Sequence, residues 1–227
     1  MLSTYLLINI LIILFPFLFS FEKRISYYKK FKALFASILV TGTLFVIWDA
    51  FATLRGHWFF AKEHILGIHL LNLPIEEVLF FITVPYSCLF VWESINYFKK
   101  EEKIKSKFLT KKIPFIISIV FILLAMIFVE KEYTLIALLI SAITIMIINT
   151  KTTLFENKNY YYFLLITLGL FLIFNYILTS IPIVLYDSNA ITNFRILTIP
   201  IEDSLFNFSM LTLYLAIFIK FKKINHI

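Results

Sequence analysis

The sequence predicts an all-α integral membrane protein of about seven transmembrane helices, arranged as a parallel 3+1+3 internal repeat. Three observations lead there. Of the 227 residues, 61% are hydrophobic and 19% aromatic; the apolar residues gather into stretches of bilayer-spanning length; and one segment recurs later in the chain at a constant spacing. The mean hydropathy of +0.91 lies far outside the range of soluble domains.

A span needs roughly 20 mostly apolar residues to cross a hydrocarbon core about 30 Å thick. Residues 3–20, 33–54, 77–95, 113–129, 133–149, 160–180 and 204–220 meet or approach that length. Helices are expected for all seven, because a backbone in lipid must satisfy its own hydrogen bonds. The first stretch has no basic leader and no small-residue cleavage site before Phe21-Glu22-Lys23-Arg24, so it reads as a retained span. Seventeen of the 21 Lys and Arg fall in 21–32, 96–112, 150–159 and the C-terminal tail, while Arg55, Lys62, Lys131 and Arg195 fall on the opposite side. That asymmetry puts the N-terminus outside and the C-terminus in the cytoplasm of a multi-pass cell-membrane protein. It also accounts for the net charge of +7 without a nucleic-acid partner. The one cysteine, Cys88, sits in an apolar run, which excludes a disulfide framework and a cysteine metal site.

The repeat aligns residues 48–80 with 174–206, without a gap, at an offset of 126. Thr53 meets Thr179, Ile65 meets Ile191 and Leu71 meets Leu197. Pro74, Ile75, Glu76, Leu79 and Phe80 meet Pro200, Ile201, Glu202, Leu205 and Phe206; Asp49 pairs with Asn175 and Glu77 with Asp203. Residues 1–96 are thus expected to form one three-helix unit, 132–227 the second, and 97–131 a cytoplasmic linker with a connecting helix. An odd number of intervening helices restores the chain direction, so the two units run parallel about an axis along the membrane normal.

In both copies an acidic pair opens the third helix of the unit, as Pro74-Ile75-Glu76-Glu77 and Pro200-Ile201-Glu202-Asp203. Proline favours the first turn and acids complement the helix dipole there, worth roughly 0.3–1 kcal/mol each. Capping alone does not explain Asp49 and Asn175, polar residues at equivalent positions inside apolar spans, since an intramembrane ionisable group is costly unless paired or facing a cavity. Glu76 and Glu77 point about 100° apart, so each pair is expected to supply one reactive carboxyl and one supporting group. A carboxyl desolvated beside a second acid makes a proton donor at neutral pH. Other chemistries fit less well. His57, His64, His69 and His226 show no HExxH spacing, so no metal is expected. None of the four glycines forms a nucleotide-binding motif, and no DxxD motif points to magnesium diphosphate. Lys220 lies at the end of the seventh span rather than its middle, against a retinal Schiff base. Near the acids, Trp48, Trp58, Phe80, Phe81, Tyr86, Tyr176, Tyr186 and Phe206 are candidates to line a dry cavity whose π faces stabilise a cation.

At these residues the chain resembles the membrane-integral lycopene (carotenoid) cyclases, in the form that fuses two small cyclase units. The Pro-x-Glu-Glu opening carries the resemblance, with the series "LTSIPIVLYDSNAITNFRILTIPIED" over 178–203, and it extends over both halves. Two positions depart from the family pattern: Ser204 where an aromatic is usual and Asn193 where glycine is common. The resemblance implies acid-initiated, non-redox cyclisation of the linear ends of lycopene to β-ionone rings, an isomerase-type intramolecular lyase reaction without a cofactor. The expected acid and base are Glu76 and Glu202, with Glu77 and Asp203 in support. Asp49, Asn175, Trp48, Trp58, Phe80, Phe81, Tyr186, Arg195, Pro74 and Pro200 form the expected substrate-facing set, with Arg195 keeping Asp203 ionised. The expected partners are the bilayer, the lipid-soluble polyene and other enzymes of carotenoid biosynthesis. The rival expectations are a small 3+1+3 transporter, against which the missing Pro-Gln kink motif counts, and a non-catalytic assembly subunit.

Overall fold

The computed structural model describes residues 3–224, and among these it contains seven main helices. They are α1 (Thr4–Phe19), α2 (Tyr27–Leu54), α3 (Ile75–Phe98), α4 (Phe108–Ile127), α5 (Glu132–Lys151), α6 (Lys158–Ser180) and α7 (Ile201–Ile224). All but α1 are long and apolar enough to cross a membrane. With 16 residues, α1 is about 24 Å long. Its start is fixed by Ser3, whose hydroxyl accepts the Leu6 N–H as an N-cap.

The repeat is visible throughout the backbone. Helices α3 and α7 coincide end for end at the offset of 126, and α2 and α6 end at equivalent residues, Leu54 and Ser180. Between the second and third helix of each unit, the chain forms three short strands: β1 (Trp58–Phe60), β2 (His69–Leu70) and β3 (Leu73–Pro74) in the first, and β4 (Val184–Tyr186), β5 (Arg195–Ile196) and β6 (Ile199–Pro200) in the second. Strands β2–β3 and β5–β6 make matching hairpins just before the acidic pairs. Each tip holds a leucine in the left-handed region, Leu71 at φ 59° and Leu197 at φ 57°. A non-glycine residue pays about 1–2 kcal/mol for that conformation. The tips are pinned to compensate: Asn72 donates to the Ala50 carbonyl at 2.8 Å, and Thr198 bonds Thr179 at 2.6 Å. Gly67 and its mate Asn193 are left-handed too, at φ 78° and 66°, so Asn193 meets the same backbone demand as glycine.

Strands β1 and β4 pair with each other, antiparallel, with Phe59 opposite Leu185, its own mate at the offset of 126. Two copies of one strand paired in this way lie about a twofold axis between Phe59 and Leu185. The flanking bonds obey it: Ala61 N–H to the Ile183 carbonyl at 3.0 Å and Asp187 N–H to the His57 carbonyl at 2.9 Å exchange under the same operation. These strands and hairpins lie at one end of the helices, the hairpin face. At the other end, buried Glu93 on α3 accepts bonds from Lys30 at the start of α2 and Lys222 at the end of α7. A cluster including Tyr27, Trp92, Tyr160, Phe163, Tyr214 and Phe218 packs between those helices and α6. Helix α4, with no counterpart in the repeat, packs along α5.

Proline shapes α1 and α3 internally. A proline has no N–H to give to the carbonyl four residues earlier, so Pro16 frees Ile12 and Pro85 frees Phe81. Both carbonyls find side-chain donors on neighbouring helices, Ser87 for Ile12 at 2.9 Å and Tyr214 for Phe81 at 2.8 Å.

Candidate active site

A cavity of about 290 Å³ lies beneath the hairpin face between the two units. Its polar end is formed by Asp49 from α2, Glu77 from the first turn of α3, Asn175 from α6 and Asp203 from the first turn of α7. These four are the twofold pairs Asp49/Asn175 and Glu77/Asp203. Tyr5, Trp58, Phe60, Tyr133 and Tyr186 surround them, and Phe80, Phe81 and Phe206 line the apolar continuation.

Within the two acidic pairs, the carboxyls point in different directions, and the pair expected as acid and base, Glu76 and Glu202, is the one turned away from the cavity. Glu76 and Glu202 are fully buried but do not line the cavity. Each points back to hold its own loop. Glu76 Oε1 accepts the Leu66 N–H at 2.7 Å and the Ser3 hydroxyl. Glu202 Oε1 accepts the Thr192 N–H and hydroxyl, both at 2.8 Å, and the Thr134 hydroxyl at 2.6 Å. The carboxyls that reach the cavity are Glu77 and Asp203, one position further round each helix.

The surroundings of those two carboxyls differ between the units. Asp203 accepts three hydrogen bonds: from Tyr133 at 2.7 Å, from the Asn175 amide at 2.8 Å and from Tyr186 at 2.6 Å. Glu77 accepts from the Tyr5 hydroxyl, and the Asp49 carboxyl lies beside it, with Asp49 Oδ2 buried and without a hydrogen-bond partner. Asp49 in turn accepts the Trp58 indole N–H at 2.8 Å. Two adjoining carboxyls can bond each other only through a proton held between them, whereas an amide beside a carboxylate needs none.

Other residues singled out in the sequence take these places. Trp58, Phe80, Phe81, Tyr186 and Phe206 line the cavity; Trp48, Tyr86, Tyr176, Pro74 and Pro200 do not. Trp48 packs beside His57, Tyr86 bonds Ser20 at 2.6 Å, and Tyr176 is exposed. Pro74 precedes the first residue of α3 rather than occupying it, and both prolines end hairpin strands. Arg195 is exposed and does not pair with Asp203: its guanidinium donates to the Thr198 carbonyl at 2.8 Å and lies over the Tyr186 ring. Asp203 is held by neutral donors instead. His57 is buried, with Nε2 3.0 Å from Glu132; His226 lies outside the described residues. Among the described residues, no group of three or more His, Cys, Asp or Glu is arranged to hold a metal.

Tyr5 and Tyr133 were absent from the sequence reading. Each lies in the first turn of the first helix of its unit, next to the Ser3 or Thr134 that binds the loop-holding glutamate. The shared tyrosine-plus-hydroxyl pattern at those helix starts was the available signal.

Duplicated three-helix units, an apolar cavity entered by carboxyls from both, and a ring of aromatic faces define a membrane-embedded enzyme for a lipid-soluble substrate. The lycopene cyclase family matches the chain over residues 2–95 and 130–221, which together cover both three-helix units and leave out α4. The chain belongs to that family, whose substrate is a lipophilic carotenoid. No curated protein and no solved structure matches it.

Proposed function

We propose that the protein cyclises the linear ends of lycopene to β-type rings, with the Asp49–Glu77 pair as proton donor and Asp203 as proton acceptor. The observation that supports these roles is the difference between the two halves of the polar cluster. One half places two carboxyls side by side, and the other has a carboxyl supplied with three neutral donors. Glu76 and Glu202, the acid and base expected from sequence, are assigned to holding the loops.

The proton leaves the Asp49–Glu77 pair and adds to the terminal double bond of the polyene, giving a tertiary cation. The π electrons of an internal double bond form the ring-closing carbon–carbon bond and leave the positive charge on a ring carbon. Asp203 then takes the proton from the ring carbon that carries the polyene, and the electrons left behind form the ring double bond in conjugation with the chain, which is the β ring. One proton enters and one leaves, so the product is an isomer and no electrons are consumed. Trp58, Tyr133, Phe80 and Phe206 present π faces to the cations in a site with little water. Positioned proton transfer contributes typically about 10²–10⁴-fold.

Two further assignments accompany this reading. Residues 1–96 and 132–227 act as the two cyclase units joined by 97–131, and the hairpin face lies outside, with the lysine-rich end in the cytoplasm. The polyene reaches the site from the bilayer, where other carotenoid-modifying enzymes release and collect it.

The test is a product assay. Expressed in bacteria that accumulate red lycopene, the protein is expected to give yellow-orange cyclic carotenoid, with β rings identified by chromatography. Unchanged lycopene beside confirmed membrane insertion overturns the proposal.

A further inference from the structure

We infer that the protein takes its polyene one end at a time through a single opening to the lipid, between α1 and α6, and that Tyr214 closes the twofold-equivalent opening. The identity of the ligand rests on the cyclase reading; the shape of the opening does not.

Near the carboxyls the cavity is shared by both units, but beyond them it extends to one side only. Leu11 and Phe15 of α1 and Leu170 of α6 line it and are also exposed on the outside of the helix bundle, so the cavity runs from buried carboxyls to the lipid-facing surface. Helices α1 and α6 meet at the hairpin end through Ile8 and Leu178, with Ile183 of the segment after α6 in the same cluster. Further along, the gap between them is floored by the small side chains of α3, Ser87, Cys88 and Val91.

The twofold operation carries this opening to the space between α5 and α2, floored by α7. There the same positions hold different residues. Tyr214 stands in the place of Cys88, is fully buried, and is anchored by its bond to the Phe81 carbonyl. Gly42 stands in the place of exposed Leu168, and α2 comes so close to α7 that a Cβ at Gly42 falls 2.9 Å from the Tyr214 hydroxyl. Phe45 stands in the place of Phe171 and packs edge-on against Phe206 at 5.1 Å. On this side α5 and α2 give the cavity only Tyr133 and Asp49, and α4 packs along α5 as well.

A long linear polyene therefore enters with one end at the carboxyls and the rest in the bilayer. Once the first ring has closed, the other end reaches the acid only after the molecule withdraws and turns. The monocyclic product is released into the lipid before any second ring forms.

The experiment uses the wild-type protein in lipid vesicles. A small, uncharged photoreactive diazirine dissolved in the bilayer labels whatever side chains it reaches, and mass spectrometry locates the label. Labelling is expected at Cys88, Val91 and Phe171, to be lost when the vesicles are loaded with lycopene, and to be missing from Tyr214 and Phe45. Equal labelling of Tyr214 and Phe45, or none at Cys88 and Val91, overturns the single opening. A pulse of isotopically labelled lycopene, chased with excess unlabelled lycopene, tests the consequence. Labelled monocyclic product should appear free in the lipid, and labelled bicyclic product should fall with the chase; bicyclic product unaffected by the chase overturns release between rings. If no cyclic carotenoid forms while the labelling asymmetry holds, the cyclase reading fails and the opening stands.

Discussion

The two halves of the molecule share their strands, hairpins and third helices at matching residues, yet their polar cores differ at four mated positions: Asp49/Asn175, Trp58/Val184, Phe60/Tyr186 and Glu77/Asp203. Where the first half has Asp49 beside Glu77, the second has Asn175 beside Asp203. Replacing one carboxyl by an amide changes a pair that needs a proton into a carboxylate that needs none. In the proposed mechanism the Asp/Asn difference, together with the hydroxyl that Tyr186 has and its mate Phe60 lacks, gives the two copies opposite duties. The apolar floor differs too: Cys88 lines the cavity, whereas its mate Tyr214 is buried and bonded to the Phe81 carbonyl.

Removing the proposed donor and acceptor in turn has the largest expected effect. Glu77→Gln and Asp203→Asn should each lower cyclisation by about 10²–10⁴-fold, read as cyclic carotenoid formed per unit of membrane-inserted protein. Making the halves alike should cost nearly as much. Asp49→Asn removes the partner that shares the proton, and activity is expected to fall by about 10²-fold, with substrate protection of the cavity from the photoreactive label unchanged. Glu76→Gln sharpens the contrast, since an amide oxygen still accepts the Leu66 N–H and the Ser3 hydroxyl. Its activity should stay within about threefold of wild type, a loss of less than 1 kcal/mol, in opposition to Glu77→Gln. Remote from the chemistry, Glu93→Gln leaves Lys30 and Lys222 without their shared carboxylate. It should destabilise the protein by about 2 kcal/mol in detergent unfolding, below the ~3–5 of a fully buried pair because both lysines are partly exposed. Tyr214→Phe, which leaves the Phe81 carbonyl unsatisfied, should cost about 1 kcal/mol in the same measurement.

Much of the fold was legible because hydropathy and repetition are one-dimensional signals. Each expected span lies within or closely overlaps an observed helix, and the offset of 126 relates the strands, the third helices and the ends of the second helices. The acidic pairs were found for the same reason. Which member of each pair faces the cavity was not legible, because adjacent helical residues point about 100° apart and nothing in the pattern of α3 or α7 marks which direction is inward. The loop amides of Leu66 and Thr192, which claim Glu76 and Glu202, are brought there by tertiary structure alone. Tyr5 and Tyr133 escaped because the first helices do not keep the offset of 126: tyrosine follows the hydroxyl residue in Ser3–Tyr5 and precedes it in Tyr133–Thr134. Arg195 misled because it is the one cation in its loop, although its guanidinium closes a hairpin rather than reaching inward.

In the proposed mechanism the first half of the cluster stores a proton and the second half does not. Infrared spectroscopy of the protein in vesicles at neutral pH measures this through the C=O stretch of a protonated carboxyl. The band should vanish in Glu77→Gln and in Asp49→Asn and persist in Asp203→Asn. A band that survives both first-half substitutions and disappears with Asp203→Asn would place the proton in the second half instead.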